Sequence, residues 1–164
     1  MTLLATTVLI LAVLSNGLIA GLFCVFSNFM MRALARISTP AGITAMQAIN
    51  RAIVNPAFLV VFFGTAIACL LAVVIGWRQL GGAALIWVII GGAIYLIGGI
   101  VVTLAFNVPL NNRLAAVDPD SKDGARTWAM YLVKWVRWNH LRSVATLVST
   151  LCLIIAVLLA NEQA

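Results

Sequence analysis

Residues 79–112 read QLGGAALIWVIIGGAIYLIGGIVVTLAFNVPLNN, from Gln79 to Asn112 without one charged side chain. A helix of about 20 apolar residues crosses some 30 Å of hydrocarbon, so this stretch commits the chain to a membrane. Three further uncharged runs are long enough to do the same: Met1 to Met31, Ala52 to Trp77 and Ser143 to Asn161. Lipid offers no partner to an open sheet edge, and the runs lack the alternation of barrel strands, so each predicts a helix. The expected fold is an all-α membrane protein, an antiparallel bundle of four transmembrane helices in a single integral membrane domain over residues 1–164. The spans are placed at about 3–31, 56–77, 83–107 and 140–160. The first run has no basic leader and is too long for a signal h-region, so a retained helix is expected.

The composition of the 164 residues agrees, with 64% hydrophobic and only 9% charged residues and a mean hydropathy of +1.14. These values exclude an ordinary soluble globule. A net charge of +6 would in a soluble domain raise the question of nucleic acid. Here the basic residues lie between apolar runs and form no separate phosphate-tracking surface, so no nucleic acid partner is expected. They read instead as topology signals beside the headgroups of membrane lipids. Arg32, Arg36 and Arg51 fall in loop 1, and Arg113, Lys122, Arg126, Lys134, Arg137 and Arg142 in loop 3, against Arg78 alone in loop 2. The positive-inside rule then puts loops 1 and 3 in the cytoplasm and both termini outside, in what we expect to be a bacterial inner membrane.

Cys24, Cys69 and Cys152 sit singly in three spans without a CxxC pair, and are read as packing residues. The four acids, Asp118, Asp120, Asp123 and Glu162, lie outside the spans, and there is one histidine. No metal site and no cofactor are therefore expected.

Between the spans, Ser38-Thr39-Pro40 reads as a helix start, with Thr39 as N-cap. Ile43, Met46, Ile49 and Ile53 follow at helical spacing, giving a short amphipathic helix in loop 1. Asn55-Pro56 ends it, and Asn107-Val108-Pro109 predicts a similar break at the end of span three. Asp118-Pro119-Asp120-Ser121 is a turn. From about Gly124 no breaker follows, which predicts a cytoplasmic helical extension of span 4. At 100° per residue, Trp128, Tyr131, Trp135, Trp138, Asn139 and Arg142 lie within about 60° of one direction, opposite Arg126, Lys134 and Arg137. That face is either an interfacial aromatic belt or the wall of a pocket.

Asparagine is frequent for so apolar a chain, and amides at membrane depth need partners. Asn16, Asn107 and Asn111 should point into the bundle. Clustering of Asn50, Asn55, Asn107, Asn111, Asn139 and Arg142 at the cytoplasmic ends of spans two, three and four suggests one pocket there, with Trp135 in its wall and Asn16 and Ser27 of span one deeper. His140 has the one side chain that titrates near neutrality unperturbed, which makes it a candidate general base. The wheel places it about 140° from Trp135, so it shares a pocket with Asn139 and Arg142 only if that pocket spans two helix faces. Gly17, Gly21 and the pairs Gly81-Gly82, Gly91-Gly92 and Gly98-Gly99 mark close helix packing, within the chain or in a homo-oligomer.

The segments Gly17 to Phe23 (GLIAGLF), Phe26-Ser27-Asn28, Met46 to Asn50 (MQAIN), Asn55-Pro56-Ala57-Phe58, Asn107 to Asn112 (NVPLNN) and Trp135-x-x-x-Asn139-His140-x-Arg142 resemble, in order, the pattern of the anthrone oxygenase-like family of small four-span membrane proteins. One departure is Met31-Arg32 where that pattern has Met-Pro. The resemblance implies a cofactor-independent monooxygenase acting on a planar lipophilic aromatic substrate. Such chemistry asks for a base, a donor to the developing oxyanion and a dry aromatic slot. His140 would be the base, Arg142 with Asn139 would hold the oxyanion, and Trp135, Trp138 and Tyr131 would stack on the ring. The alternatives are a non-catalytic binder or accessory subunit for a lipophilic small molecule, and a structural membrane subunit.

Overall fold

Each uncharged run becomes one long helix in the computed structural model, which describes residues 2–162. Helix α1 is Leu3–Leu34, α2 is Thr39–Ile53, and α3, α4 and α5 are Pro56–Gln79, Gly82–Ala115 and Lys122–Glu162. The chain is an all-helical integral membrane protein in which α1, α3, α4 and α5 are long and apolar enough to span. They form a closed ring: α1 packs on α3 and α5, and α4 packs on the same two helices. The outer surface of the ring carries Leu18, Val60, Ile97 and Leu151 fully in the open, as a lipid-facing surface must.

Small residues set how closely the helices approach. A Cβ on Gly98 would overlap the Ala145 methyl, while one on Gly91 would press on Cys152 and Leu153 at 3.1–3.2 Å. Both glycines therefore serve contact between α4 and α5 inside one chain. Gly92 faces Cys69 of α3 instead. At the tight turn between α3 and α4, Gly82 has φ +49°, a left-handed conformation that a side chain would strain. The Thr2 hydroxyl donates to Gln79 Oε1 at 2.6 Å and ties the start of α1 to this end.

At the opposite, basic end, the amphipathic α2 begins at Thr39, the residue expected as its cap, with Ser38 taking the cap position and Pro40 in the first turn. Asn55 separates α2 from α3: its Oδ1 accepts from Phe58 N at 3.0 Å and caps α3. Ile43 and Met46 of α2 pack on Leu114 and on Trp128, Tyr131 and Trp135 of α5. Gln47 Nε2 donates to the carbonyls of Leu114 (2.9 Å) and Val117 (3.1 Å). Thus α2 lies across the basic end of the ring, covering the aromatic face of α5.

The break expected at Asn107-Val108-Pro109 does not form. Helix α4 instead widens into π-helical turns at Tyr95–Val101 and Thr103–Asn107 and continues as Val108–Ala115. A proline ring clashes with the carbonyl four residues earlier in a regular α-helix, and the wider turn just ahead of Pro109 accommodates it. A third π-helical turn, Phe26–Met30, lies in α1, which runs on to Leu34. Ser121 closes the loop before α5, its hydroxyl donating to Asp118 O at 2.7 Å and accepting from Gly124 N at 2.9 Å.

Candidate functional site

The helical phase of α5 decides what reaches the interior. Trp128, Tyr131, Trp135, Asn139 and Arg142 are all buried, whereas Arg126, Lys134 and Arg137 are exposed. Trp128, Tyr131 and Trp135 stack in series at 5.8 and 5.5 Å between ring centroids, nearly parallel. Phe26 meets Trp135 edge-on at 5.7 Å. Behind this stack the Tyr131 hydroxyl donates to Asn111 Oδ1 at 2.7 Å, and Asn50 Nδ2 approaches the same hydroxyl at 3.4 Å. The two amides thereby link α2, α4 and α5.

Arg142 lies one turn further along the same buried face, only 5% exposed. Its Cζ lies 4.1 Å from the Phe23 ring centroid and 5.4 Å from that of Trp135, so the cation contacts two aromatic rings. Nη1 donates to Thr103 Oγ1 at 3.0 Å, and Nη2 to Asn139 Oδ1 at 2.6 Å. Both partners are neutral. The four acidic residues offer no counter-charge: Asp123 and Glu162 lie 19 and 20 residues along α5 from Arg142, about 30 Å at 1.5 Å per residue. Asp118 and Asp120 precede the start of α5. Arg142 is therefore a buried cation held by neutral groups, an arrangement that costs several kcal/mol unless an anion joins it.

A cavity of about 110 Å³ borders this cation, with Phe23 and Phe26 from α1, Met46, Ile49, Asn50 and Ile53 from α2, Phe58 from α3, Thr103 and Asn111 from α4, and Trp135 and Arg142 from α5. Its polar lining residues are the two amides, Thr103 and Arg142. Arg142 Nε and Trp135 Nε1 are buried with no hydrogen-bond partner among the described residues.

Of the expected site residues, Trp135, Asn50, Asn111 and Arg142 line this cavity. Asn139 stands just behind, its Nδ2 donating to Phe23 O (2.9 Å) and Ser27 Oγ (2.7 Å) while its Oδ1 orients Arg142. Tyr131 stands behind the wall and bonds the lining amides of Asn50 and Asn111. Asn107 is buried and donates to the Trp135 carbonyl at 3.3 Å, fixing the backbone of the aromatic face. Ser27 bonds Ser143 Oγ at 2.8 Å, and Asn16 donates to Ser149 Oγ at 2.6 Å, so both serve helix contacts. Trp138 stacks on Phe106 at 3.7 Å, away from the cavity.

His140 is not brought to Arg142. It is exposed and lines a separate groove of about 430 Å³ with Ser27, Met31, Arg32, Ala35, Leu132 and Val136. The reason is its helical phase, which puts it on the face of α5 turned toward the end of α1. The trio His140, Asn139 and Arg142 is thus divided between two sites. Residues that the search for polar groups passed over are Phe23, Phe26, Phe58 and Thr103. Phe23 had a signal, since it lies seven residues after the inward-facing Asn16 and shares its helix face. Thr103 had none, because its direction depends on the π-helical turn that begins there.

No curated protein and no solved structure matches the chain. The family profile described as anthrone oxygenase matches residues 51–152, from the last turn of α2 through α3, α4 and most of α5. That match covers every α4 and α5 residue of the cavity together with Phe58, and the chain belongs to the anthrone oxygenase family.

Proposed function

We propose that the cavity beside Arg142 receives a flat, lipophilic aromatic C–H acid of the anthrone type and promotes its oxidation by dioxygen without a cofactor. The observation that carries this reading is the Arg142 guanidinium, buried in an apolar wall between Phe23 and Trp135 with neutral partners only. In the reaction, an activated CH₂ group loses one proton to give an enolate. The enolate passes one electron to dioxygen, and the resulting radical and superoxide combine at that carbon. Uptake of a proton gives a hydroperoxide, and loss of water leaves a carbonyl, so that CH₂ and O₂ become C=O and H₂O. Arg142 acts on the enolate oxygen, where a fixed donor in a water-poor site stabilises developing charge most strongly. Phe23 and Trp135 offer ring faces to the substrate. At about 110 Å³ the cavity is smaller than the usual pocket for a drug-sized ligand, so a tricyclic ring enters by displacing α2.

Oxygen uptake by purified protein with anthrone tests the proposal. We expect a rate above autoxidation that Arg142→Gln removes; a parent rate equal to the protein-free rate overturns it. A second reading, a non-catalytic binder or accessory subunit for a lipophilic small molecule, is favoured by one observation. No His, Asp, Glu or Lys stands among the cavity-lining residues. Saturable binding without oxygen uptake is the outcome that supports it. We propose in addition that loops 1 and 3 face the cytoplasm of a bacterial inner membrane with both termini outside, on the nine-to-one distribution of basic residues.

A further inference from the structure

A cation in hydrocarbon needs an anion, a polar cage or water. Arg142 has half a cage: two of its nitrogens are satisfied by Thr103 and Asn139, while Nε is buried and unpartnered. Trp135 Nε1 is in the same condition, and both residues border one cavity. Two residues that line a cavity without a carboxylate each hold a buried N–H that no described group accepts, one of them on a cation, which describes a receptor that lacks its negative oxygen.

We infer that the cavity takes its ligand already ionised, as the phenolate or enolate of a flat aromatic. The ligand's oxygen accepts from Arg142 Nε and Trp135 Nε1, and no protein base removes the proton. This deepens the proposed function and rests on its reading of the cavity as the ligand site. The groups packed around the cation support it. From α1 come Phe23 and Phe26, from α2 Met46 and Asn50, from α4 Thr103 and Asn111. None of these titrates. On α5 the titratable neighbour is Tyr131, whose hydroxyl is already engaged as donor to Asn111. His140 and Arg32 belong to the other groove. The proton therefore leaves to water or buffer outside the cavity, and selection falls on the ligand's own acidity.

The consequence is a pH dependence that belongs to the ligand. Affinity rises as pH rises through the ligand's pKa, because only the ionised form supplies the oxyanion, and it levels off above. The experiment measures binding of 2-naphthol, its more acidic 6-cyano derivative and the non-ionisable 2-methoxynaphthalene to the full-length protein in mild detergent, by quenching of tryptophan fluorescence. The expected midpoints of the two naphthols differ and follow their pKa values in free solution, with the ether bound at least about tenfold more weakly than either anion. Trp135→Phe removes one donor and part of the ring face, and should weaken naphtholate binding about tenfold more than it weakens the ether. Equal midpoints for both naphthols, or an ether that binds as well as the anions, overturns the inference. Oxygen uptake with anthrone is recorded on the same samples. Uptake without anion preference refutes this inference and leaves the proposed function standing. Anion preference without uptake does the reverse.

Discussion

Replacing Arg142 by lysine keeps the charge and discards the fork, which separates a site residue from a topology signal. In the parent, Nη1 and Nη2 bond Thr103 and Asn139 at 3.0 and 2.6 Å while the guanidinium Cζ lies 4.1 Å from the Phe23 ring centroid. One ammonium on a flexible stem can meet one of those acceptors but not both, and it lacks the flat surface. Losing a charge-assisted hydrogen bond costs about 1.5–3 kcal/mol. Interhelical hydrogen bonds inside membranes average nearer 0.6 kcal/mol, which sets the lower side. We therefore expect Arg142→Lys to destabilise by about 1–3 kcal/mol with unchanged membrane insertion. The assay is equilibrium unfolding by SDS titration from mild detergent micelles, followed by tryptophan fluorescence. Arg137→Lys, on the exposed face of the same helix, is the control and should stay within about 0.5 kcal/mol of the parent. If both variants unfold with the parent, Arg142 is an interfacial anchor and the site built around it is wrong.

Three further outcomes follow from the packing and the charge distribution. Gly98→Leu should lose folded protein or at least about 1–3 kcal/mol, because its Cβ would overlap Ala145 across the α4 and α5 contact; Gly64→Leu, with open space around it, should be neutral in the same SDS titration. His140→Ala should leave naphtholate binding and oxygen uptake within about twofold of the parent, since it lines the groove with Arg32 and not the cavity; a loss of a hundredfold or more would restore it as the base. An alkaline phosphatase fused after the C-terminus should be active in a bacterial host, and activity only of a cytoplasmic reporter at that position would invert the proposed topology.

The architecture was legible because lipid leaves the chain few choices. An uncharged run of span length has to satisfy its own backbone, so the four helices follow from where the charges stop. The buried face of α5 was legible for a similar reason, since Trp128, Tyr131, Trp135, Asn139 and Arg142 share a phase that no breaker interrupts. The polar residues Asn50, Asn111 and Arg142 pointed to the end of the bundle where the cavity lies. What a regular 100° wheel could not supply was the turn of α4, where two π-helical segments change the phase between Gly82 and Asn107 and aim Thr103 at the cation. Proline at 109 suggested a break where a widened turn absorbs the ring. The apolar cavity walls were silent as well: Phe23, Phe58 and Met46 look like any core residue until the helices are assembled. His140 was singled out by chemistry, which carries no direction, and the wheel angle from Trp135 was the better guide to its place in the groove beside Arg32.

The central claim is that Arg142 awaits an anion from the ligand, and Asn139→Asp tests it most directly by supplying one from the protein. The substitution keeps the side-chain shape, gives up the Nδ2 bonds to Phe23 O and Ser27 Oγ, and places a carboxylate against Nη2, where the amide oxygen now sits at 2.6 Å. It neutralises the cation and sets a like charge beside any incoming oxyanion, a repulsion of a few kcal/mol at an effective dielectric constant of about 20. The measurement is the affinity of the folded, monodisperse variant for 2-naphtholate and for 2-methoxynaphthalene above the naphthol pKa. The account predicts a loss of about a hundredfold for the anion with the ether unchanged; naphtholate binding equal to that of the parent would contradict it.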